Sequence, residues 1–224
     1  MSKRVERPGV REGYDRWAET YDVTANPVVS LDRRYTLRAL DARPGETVLD
    51  VGCGTGTHLG RLCEAGARTL GLDFSLGMLR VAQRNAPRAA LARADLNEGF
   101  PVRTGMFDAV LSSLVSEHLT NLNRFFGEVF AALREGGRLV FSAFHPDPAR
   151  AGVEANFERD GTEYRLGAEL YTVEEYLSRI AEAGFERLAW REHCGYDCLL
   201  EEIPYAAKYL GRPLLLLVRA ERTI

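Results

Sequence analysis

The sequence has no long apolar run and no excess of basic residues. Its longest aliphatic run near the C-terminus, residues 214–218, is far shorter than the roughly 20 residues that cross a bilayer, so no membrane partner is expected. Lys and Arg number 29 against 32 Asp and Glu, which gives a net charge of -3. Because binding to phosphate backbones depends on basic surface, no nucleic-acid partner is expected either.

The N-terminus and the small number of cysteines exclude further classes. Residues 1–9 carry charges but no apolar segment follows them, so they form no secretory signal and a cytoplasmic location is expected. The cysteines are Cys53, Cys63, Cys194 and Cys198, and no second paired set accompanies the last two. This spacing predicts no tetrahedral zinc site or other structural metal, and a reducing cytosol disfavours a disulfide.

Two kinds of segment alternate along the middle of the chain. Short aliphatic or β-branched runs predict strands at 47–51, 68–72, 89–94, 107–112, 138–143, 186–191 and 213–219. Apolar residues at helical spacing predict helices at 58–64, 76–85, 122–134 and 173–183. The alternation predicts an α/β fold of the Rossmann-like kind, with a seven-stranded, mostly parallel sheet and helices on both faces.

Three segments do not fit the alternating pattern. We expect one domain over residues 1–224, in which 45–144 form a ligand-binding core and 1–44 form an N-terminal helical cap. Residues 145–171 and 193–212 are expected to be insertions on the substrate side, because ligands of open α/β sheets bind beyond the carboxyl ends of the strands.

The first predicted strand ends in a glycine-rich turn. From Val48 the chain reads V-L-D-V-G-C-G-T-G, which places Asp50 before Gly52, Gly54 and Gly56. Glycines at alternate positions allow a sharp turn and a close approach of the backbone to a ligand. The spacing differs from the G-x-G-x-x-G that seats a dinucleotide pyrophosphate, so it favours a nucleoside without one. A tight turn of purely structural use is the alternative.

Acidic residues also end the next two predicted strands. Asp73 in G-L-D-F-S can accept both ribose hydroxyls, and Phe74 offers a face for an adenine. Asp95 in A-D-L can accept a hydrogen bond from an adenine amino group, and Leu96 adds apolar surface. A helix cap or a turn residue is the alternative for each aspartate taken singly.

These motifs, followed by F-D-A-V-L-S-S-L and L-R-E-G-G-R-L-V-F, resemble the class I S-adenosylmethionine-dependent methyltransferases, especially the small-molecule group called type 11. The resemblance covers residues 45–144. It implies a sheet whose last strand is antiparallel and S-adenosyl-L-methionine along the carboxyl ends of the first four strands. It assigns to the cofactor site the following residues: Tyr21, Asp50, Gly52, Gly54, Thr55, Gly56, Asp73, Phe74, Met78, Asp95, Leu96, Ser112 and Leu114.

The resemblance also bears on the N-terminus. The segment Y-D-R-W-A-E-T-Y-D, residues 14–22, is similar to the family's opening helix, whose aromatic residues close over the cofactor. Tyr21 is assigned there on this basis. Packing of Tyr21 against Trp17 at helical spacing is the alternative.

Methyl transfer to a small-molecule acceptor by in-line displacement is the expected chemistry. His145, directly after the fifth predicted strand, has an imidazole suited to accept a hydroxyl proton, or else it is a turn histidine. His118, which follows Ser116 and Glu117 after the fourth predicted strand on the side where an acceptor would sit, is a second catalytic candidate. Its segment S-E-H-L-T-N is similar to a family segment where histidine is common whatever the substrate, so an architectural role is the alternative. His193, Tyr196 and Asp197 could contact the acceptor or lie in a solvated loop.

Aromatic residues of the first insertion offer a further prediction. Phe157, Tyr164 and Tyr171 could form a lid over a ring-containing acceptor, or could only anchor the segment.

Several functional alternatives stay open at this level. The chain could be a methyltransferase-like protein that binds the cofactor without catalysis, an RNA methyltransferase, or a nicotinamide-dependent oxidoreductase, against which the glycine spacing argues. The acceptor atom is open among oxygen, nitrogen, carbon and sulfur, and the protein could be a monomer or a homodimer. The S-S-L-V after the fourth strand lacks the Asn-Pro-Pro-Tyr type of motif used on adenine or amide nitrogens, so those acceptors are disfavoured.

Overall fold

A computed structural model describes residues 4–195, 199 and 203–223 of the chain. The strands are β1 (Arg4–Glu6), β2 (Thr47–Val51), β3 (Arg68–Asp73), β4 (Ala90–Arg93), β5 (Phe107–Ser113), β6 (Leu133–Phe144), β7 (Asn156–Arg159), β8 (Thr162–Arg165), β9 (Glu186–Cys194) and β10 (Pro213–Glu221). The helices are α1 (Val10–Trp17), α2 (Pro27–Leu40), α3 (Thr57–Glu64), α4 (Leu76–Asn85), α5 (Leu122–Ala132), α6 (Pro146–Arg150) and α7 (Val173–Glu182). Short 3-10 helices lie at Tyr21–Val23, Ser116–His118 and Pro204–Tyr209.

Seven of these strands form one sheet in the order β4-β3-β2-β5-β6-β10-β9. The ladders from β4 to β6 are parallel, and β10 runs antiparallel to both β6 and β9. The chain leaves β2 toward β4 and then returns to β5 on the other side of β2. Such a reversal opens a crevice at the carboxyl ends of the strands. The predicted α/β fold with an antiparallel last strand is confirmed.

The predicted elements of the core are present, with small shifts at their ends. Each of the seven predicted strands lies in the sheet, and α7 begins with a capping box, in which Thr172 and Glu175 bond each other's backbone. The largest difference is where α5 meets β6: α5 ends at Ala132, whereas the sequence predicts a helix through 134, and β6 begins at Leu133 and not at 138. Leu133 is already extended and pairs with Phe107, because β6 starts there.

Helices cover both faces of the sheet. On one face α5 and α7 bury Phe126 and Ile180 against Phe141 of β6, and on the other α2 buries Leu40 against Leu111 of β5. Burial of such apolar surface is the main stabilising contribution to a fold of this kind. Among the described helices, none has both the length and the apolar character needed to cross a membrane.

A second, three-stranded sheet joins two of the segments that lie outside the alternating pattern. Its order is β1-β8-β7, with β1 parallel to β8 and β7 antiparallel to it. The sequence predicts a helical cap for residues 1–44, and the structure adds β1 to the helices there. Phe157 of β7 stacks on Trp17 of α1, with ring centroids 5.1 Å apart, so the first insertion packs directly on the N-terminal helix.

Helix α1 is fixed to the core at the start of α4. Ser75 caps α4 by accepting a hydrogen bond from Met78 N, and its hydroxyl donates to Asp15 of α1 at 2.7 Å. The same Asp15 oxygen accepts from Gly77 N at 2.8 Å. A carboxylate at a helix N-terminus is favourable because the backbone N–H groups there have no partner within the helix. The contact places α1 over the crevice.

Helix α2 is fixed by the buried carboxylate of Asp32. One of its oxygens accepts from Thr36 at 2.7 Å and Ser142 at 2.6 Å, and the other accepts from Ser113 at 2.7 Å and lies 2.7 Å from His58 Nε2. Burial opposes the ionisation of Asp32, but the bonds from His58 and the two serines outweigh it and lower its pKa. Conversely, burial favours neutral His58, and Asp32 overrides it to raise the pKa of the imidazole. The carboxylate therefore ties α2 to α3, β5 and β6.

The substitution Asp32→Ala is expected to lower the free energy of unfolding by about 3 kcal/mol or more, because it leaves His58 and three hydroxyls buried without their acceptor. Urea denaturation followed by circular dichroism measures this change. Glu19→Gln is the matched control, since Glu19 forms an exposed pair with Arg84, and a change within about 0.5 kcal/mol is expected there. Equal effects of the two substitutions would contradict the assignment of Asp32 as the anchor of α2.

Candidate cofactor and acceptor site

The glycine turn after β2 is held by the next strand. Gly52 N donates to Leu72 O at 2.8 Å, and Gly54 N donates to the Asp73 carboxylate at 2.9 Å. Gly52 has a φ of 79°, and a Cβ there would lie 2.7 Å from a methyl carbon of Val115. Only glycine fits this position without strain. The turn therefore presents its backbone to the crevice.

Two cavities are lined by this turn, and a larger one adjoins them. The large cavity, of about 510 Å³, lies among α1, the start of α2, the three-stranded sheet, the ends of β5 and β6, and the 3-10 helix Pro204–Tyr209. The Asp73 cavity is lined by Tyr14, Tyr21, Gly52, Gly54, Asp73, Phe74, Met78, Ala94, Asp95, Leu96, Asn97, Ser113, Leu114, Val115, His118 and Leu119. The Asp50 cavity is lined by Tyr21, Val29, Asp32, Arg33, Asp50, Gly52, Cys53, Gly54, Thr55, Thr57, His58, Ser113 and Leu114.

Tyr21 and Leu114 line all three cavities and mark the place where they meet. Leu114 ends β5 with a φ of 51°, a conformation that a branched side chain rarely adopts. Tyr21 comes from the opposite side, from the 3-10 helix that follows α1. A reacting group transferred between a ligand in one cavity and a ligand in another would pass beside these two residues.

The Asp73 cavity offers acceptors and an apolar face. Asp73 is buried, and its oxygens accept from Gly54 N and Ser75 N, both at 2.9 Å. Burial raises the pKa of Asp73 to about 6, although these two backbone bonds act in the opposite direction. Each carboxylate oxygen has a second lone pair, so Asp73 can still accept hydroxyl donors from a ligand. Phe74 and Met78 contribute apolar surface to the same cavity.

Asp50 has no internal partner for its charge. Its side chain is 1% exposed, and neither carboxylate oxygen has a hydrogen-bond partner among the described residues. Burial raises its pKa to about 7, with nearby Asp32 and Asp73 adding to the effect and His58 opposing it. An unpaired carboxylate in such surroundings is unfavourable, and a cationic ligand group would relieve it. The Asp50 cavity therefore suits an ammonium group.

Asp22 connects the N-terminal segment to the glycine turn. One of its oxygens accepts from Thr55 at 3.0 Å and from Thr57 at 3.3 Å, and it pairs with Arg33 at 2.5 Å. Thr55, Thr57 and Arg33 all line the Asp50 cavity. The contact fixes the segment that carries Tyr21 beside the turn.

Comparisons with known proteins agree with this geometry. A family model described as a methyltransferase domain matches residues 49–141. A demethylmenaquinone methyltransferase from Streptomyces avermitilis is 32% identical over 211 residues, which cover 81% of this chain and 88% of that protein. Another from Thermobifida fusca is 31% identical over 208 residues, covering 80% and 86%. The chain belongs to the S-adenosylmethionine-dependent methyltransferases.

A solved structure supports the same conclusion. An S-adenosylmethionine-dependent methyltransferase from Mesorhizobium loti matches with a TM-score of 0.73 at 27% identity, covering 88% of this chain and 100% of that one. The methyltransferase is therefore an enzyme that uses S-adenosyl-L-methionine, and the predicted family, fold and cofactor are confirmed.

The residues around the glycine turn fit this cofactor. Its adenosine needs acceptors for hydroxyl and amino donors, which Asp73 and Asp95 supply in one cavity. Its methionine end carries an ammonium, for which the unpartnered carboxylate of Asp50 is available in the adjoining cavity. Gly54 lies in both cavities, and a Cβ there would meet no protein atom within 4 Å, so this backbone is open to a ligand.

Most of the site residues predicted from the sequence come together in these cavities. Phe74, Met78, Asp95 and Leu96 line the Asp73 cavity, and Thr55 lines the Asp50 cavity. Asp95 also accepts from Asn97 N at 3.0 Å, which shapes the turn after β4. Their contacts with the cofactor itself stay predictions.

Two predicted cofactor residues lie elsewhere. Gly56 caps α3 with a φ of 76° and packs on Ala82 of α4, so its role is in the turn itself. Ser112 is fully buried in the sheet and lines none of the three cavities, and its hydroxyl has no partner among the described residues. Ser113, the next residue, faces the crevice, because successive side chains of a strand point to opposite sides.

His145 does not line any of the three cavities. It caps α6, with Nδ1 accepting from Asp147 N at 3.2 Å, and its Nε2 lies 3.3 Å from Glu192 of β9. Both ring nitrogens are thus engaged within the protein, an arrangement that favours the turn histidine over a base. Its action as a base stays a prediction that the geometry does not support.

The second insertion is described only in part. His193 stacks on Tyr35 of α2 with ring centroids 4.0 Å apart and lines none of the three cavities. Tyr196 and Asp197 lie outside the described residues.

His118 lines the Asp73 cavity and contacts the N-terminal helix. Its Nε2 shares a hydrogen bond of 2.9 Å with the Tyr14 hydroxyl, and its carbonyl accepts from Asn97 at 3.0 Å. Burial lowers the pKa of the imidazole to about 4, so the ring is neutral at physiological pH. These contacts favour the architectural interpretation, in which His118 positions α1 over the cofactor cavity.

The sequence interpretation missed several residues of the site. Asp32 and His58 form a buried pair beside Asp50, and Trp17 and Tyr14 line the large cavity. Asp32 is a charged residue on the mostly apolar buried side of α2. This is the one feature of the sequence that could have indicated its role. Nothing in the sequence indicates that His58 is its partner.

Binding of S-adenosylhomocysteine is expected to weaken as the pH falls through 7. With a pKa of about 7, Asp50 is about one-tenth ionised at pH 6 and mostly ionised at pH 8, and only the ionised form attracts the ligand ammonium. Methylthioadenosine, which lacks the amino-acid end, is the control ligand. The ratio of the two affinities should fall about tenfold between pH 8 and pH 6 in calorimetric titrations.

Asp50→Asn should abolish this pH dependence of the ratio. An unchanged ratio across the pH range in the unsubstituted protein would show that Asp50 does not bind the ammonium.

Proposed function

We propose that the methyltransferase acts on a small hydroxylated aromatic molecule held in the large cavity, with a ring of the quinol type as the acceptor. The observation that carries this proposal is the stack of aromatic rings in the wall of a cavity that meets the cofactor cavities at Tyr21 and Leu114.

The aromatic wall is built from α1 and the three-stranded sheet. Trp17 stacks on Phe157 with an interplanar angle of 18°, and Tyr14 stacks on Trp17 with ring centroids 6.0 Å apart. Tyr21 packs edge-on against Trp17 at 4.8 Å. Such surfaces favour planar apolar ligands, which stack on the rings at little conformational cost.

The three aromatic residues predicted to form a lid or to anchor the first insertion do not all lie in one place. Phe157 lines the large cavity, and Tyr164 stacks behind it at 4.9 Å. Tyr171 lies elsewhere and donates from its hydroxyl to Leu119 O, which anchors the chain before α7. The proposal therefore rests on the first part of the insertion.

The names of the relatives point to the same acceptor class. The two bacterial relatives are named for a demethylated menaquinone, a quinone with a fused aromatic ring system. A cavity of about 510 Å³ falls within the usual size range of small-molecule sites. The net charge of -3 supports a small molecule rather than a nucleic acid as the acceptor.

The protein's own contribution to the reaction is positioning and exclusion of water. When bound, S-adenosyl-L-methionine supplies a methyl group on a positively charged sulfur. Tyr21 and Leu114 restrict the passage between the cavities, and Trp17 with Phe157 would hold the plane of the acceptor ring beside it. Fixing two reactants in line in this way can account for a large part of a rate enhancement.

Transfer of a tritium-labelled methyl group from S-adenosyl-L-methionine tests the proposal. We expect transfer to naphthohydroquinone, kept reduced under nitrogen, to be at least about tenfold faster than transfer to naphthylamine, because the latter has no acidic hydroxyl. Naphthohydroquinone dimethyl ether is the second control and should accept no label at its oxygens. Labelling of the amine alone would overturn the proposed acceptor class.

Phe157→Ala tests the aromatic wall in the same assay. It should raise KM for the naphthohydroquinone while binding of S-adenosylhomocysteine changes little, since Phe157 lines the large cavity and neither of the others.

A further inference from the structure

We infer that Glu117 is the catalytic base, which takes the proton of the acceptor hydroxyl at the inner end of the large cavity. The inference deepens the proposed function and rests on it. Glu117 lines the large cavity and neither of the two cofactor cavities.

The position of Glu117 is set by the short 3-10 helix that follows β5. Its carbonyl accepts from Glu169 N at 2.8 Å, which ties this helix to the segment before α7. Tyr14 and Tyr21, which line both the large cavity and the Asp73 cavity, lie close enough for the charge of Glu117 to raise the pKa of their hydroxyls. Glu117 is therefore near the passage between acceptor and cofactor.

The carboxylate of Glu117 has no hydrogen bond to any described residue. The Nε2 atom of neutral His118 lies 3.6 Å from the carboxylate, too far for a hydrogen bond, and is already bonded to Tyr14. Only 15% of the Glu117 side chain is exposed, so water does not fully compensate it. A carboxylate in this condition gains from a donor that a ligand brings.

Two other carboxylates of the large cavity, Glu154 and Glu163, are held in ion pairs, and a third, Glu158, also has a partner. Glu154 accepts two bonds from Arg7, at 2.8 and 3.0 Å, and a third from Gly167 N. Glu163 is paired with Arg165 at 2.8 Å. Both groups lie on or next to the three-stranded sheet, where they stabilise its attachment to the N-terminus. They are less available to take a proton than Glu117.

Asp50 and Asp73 line the cofactor cavities and not the large cavity, and the remaining titratable groups near the passage are poor bases. Burial lowers the pKa of His118 to about 4, so its imidazole binds a proton weakly. Burial raises the pKa of the Tyr14 and Tyr21 hydroxyls, so both stay protonated. The pKa of the Tyr176 hydroxyl of α7 is raised by burial and, to a smaller extent, by the charge of Glu117, and this hydroxyl donates to Ser116 at 3.0 Å.

Burial also shifts the pKa of the Glu117 carboxyl into a range that suits a base. It raises the pKa of the carboxyl to about 7, which is the range in which a base is efficient at physiological pH. The charged and titratable groups that face it are His118, Tyr14, Tyr21 and Tyr176. At physiological pH these four are neutral, so none of them opposes the uptake of a proton.

In the proposed step the acceptor O–H bond breaks, the proton goes to Glu117, and the electron pair stays on the acceptor anion. That pair, on oxygen or delocalised to a ring carbon, forms the bond to the methyl carbon, and the methyl–sulfur bond breaks with its pair going to sulfur. For transfer to carbon, the displaced ring hydrogen then leaves as a proton and restores the aromatic ring. Glu117 finally releases its proton to solvent.

Glu117→Gln, which keeps the shape and removes the base, is the test. With naphthohydroquinone as the acceptor, kcat/KM should fall by about 100-fold or more, the usual contribution of a general base. At saturating S-adenosyl-L-methionine, where the ionisation of Asp50 does not limit cofactor binding, kcat/KM of the unsubstituted enzyme for the acceptor should rise with pH and level off above about pH 7, as Glu117 ionises. The variant should lack this inflection. Affinity for S-adenosylhomocysteine, measured by calorimetry, should be unchanged, which also shows that the variant is folded.

Two further variants make the result decisive. Glu117→Asp, which retains a carboxylate, should keep the inflection with a reduced rate, whereas Glu19→Gln, at an exposed ion pair outside the three cavities, should leave both rate and inflection intact. Full activity and an unchanged pH profile in Glu117→Gln would overturn the inference. Absence of transfer to naphthohydroquinone by the unsubstituted enzyme would instead overturn the proposed function, and the same comparison would then be made with the acceptor that takes the label.

Discussion

Carboxylates buried near the carboxyl ends of the strands impose the main physical constraint on this molecule. Removing such a charge from water is costly unless donors compensate it. Asp32 is compensated fully, by three hydroxyls and His58, and Asp73 is compensated by two backbone N–H groups. Asp50 and Glu117 have no such donors among the described residues. Asp32 holds parts of the fold together, Asp73 holds the glycine turn and keeps lone pairs for a ligand, and the uncompensated carboxylates are available to ligands.

The difference between these two groups of carboxylates affects the stability of the folded protein. A carboxyl whose pKa is raised by folding destabilises the folded state above its unfolded pKa, so Asp50 and Glu117 reduce stability at neutral pH. The network around Asp32 lies beside Asp50 and contributes in the opposite direction, since the pKa of Asp32 is lowered. Packing of the sheet between its two helical layers supplies the remaining stability. The unfavourable charges of the site are therefore offset by favourable interactions elsewhere in the fold.

The N-terminal segment completes the site from the outside. Asp15 fixes α1 to the start of α4, Asp22 fixes the following 3-10 helix to the glycine turn, and Asp32 fixes α2 to the sheet. Between these three attachments lie the aromatic residues that separate the cofactor cavities from the large cavity. The first insertion then packs on Trp17 through Phe157. Two segments that are remote in sequence therefore form one wall of the acceptor cavity.

The sequence by itself determined the core of the protein: the order of strands and helices, the glycine turn and the acidic residues at three strand ends. These features depend on local spacing, since periodicity of 2 or 3.6 residues and the freedom of glycine are properties of short segments. Ser112 was assigned to the cofactor site, but Ser113 is the residue that faces the crevice, because the elements packed on a strand decide which of its two faces is open. Only the tertiary structure paired Asp32 with His58, set His145 aside from the cavities and brought Glu117 to the passage at Tyr21. Burial and partners decide what a titratable side chain does, and both arise only when distant parts of the chain pack together.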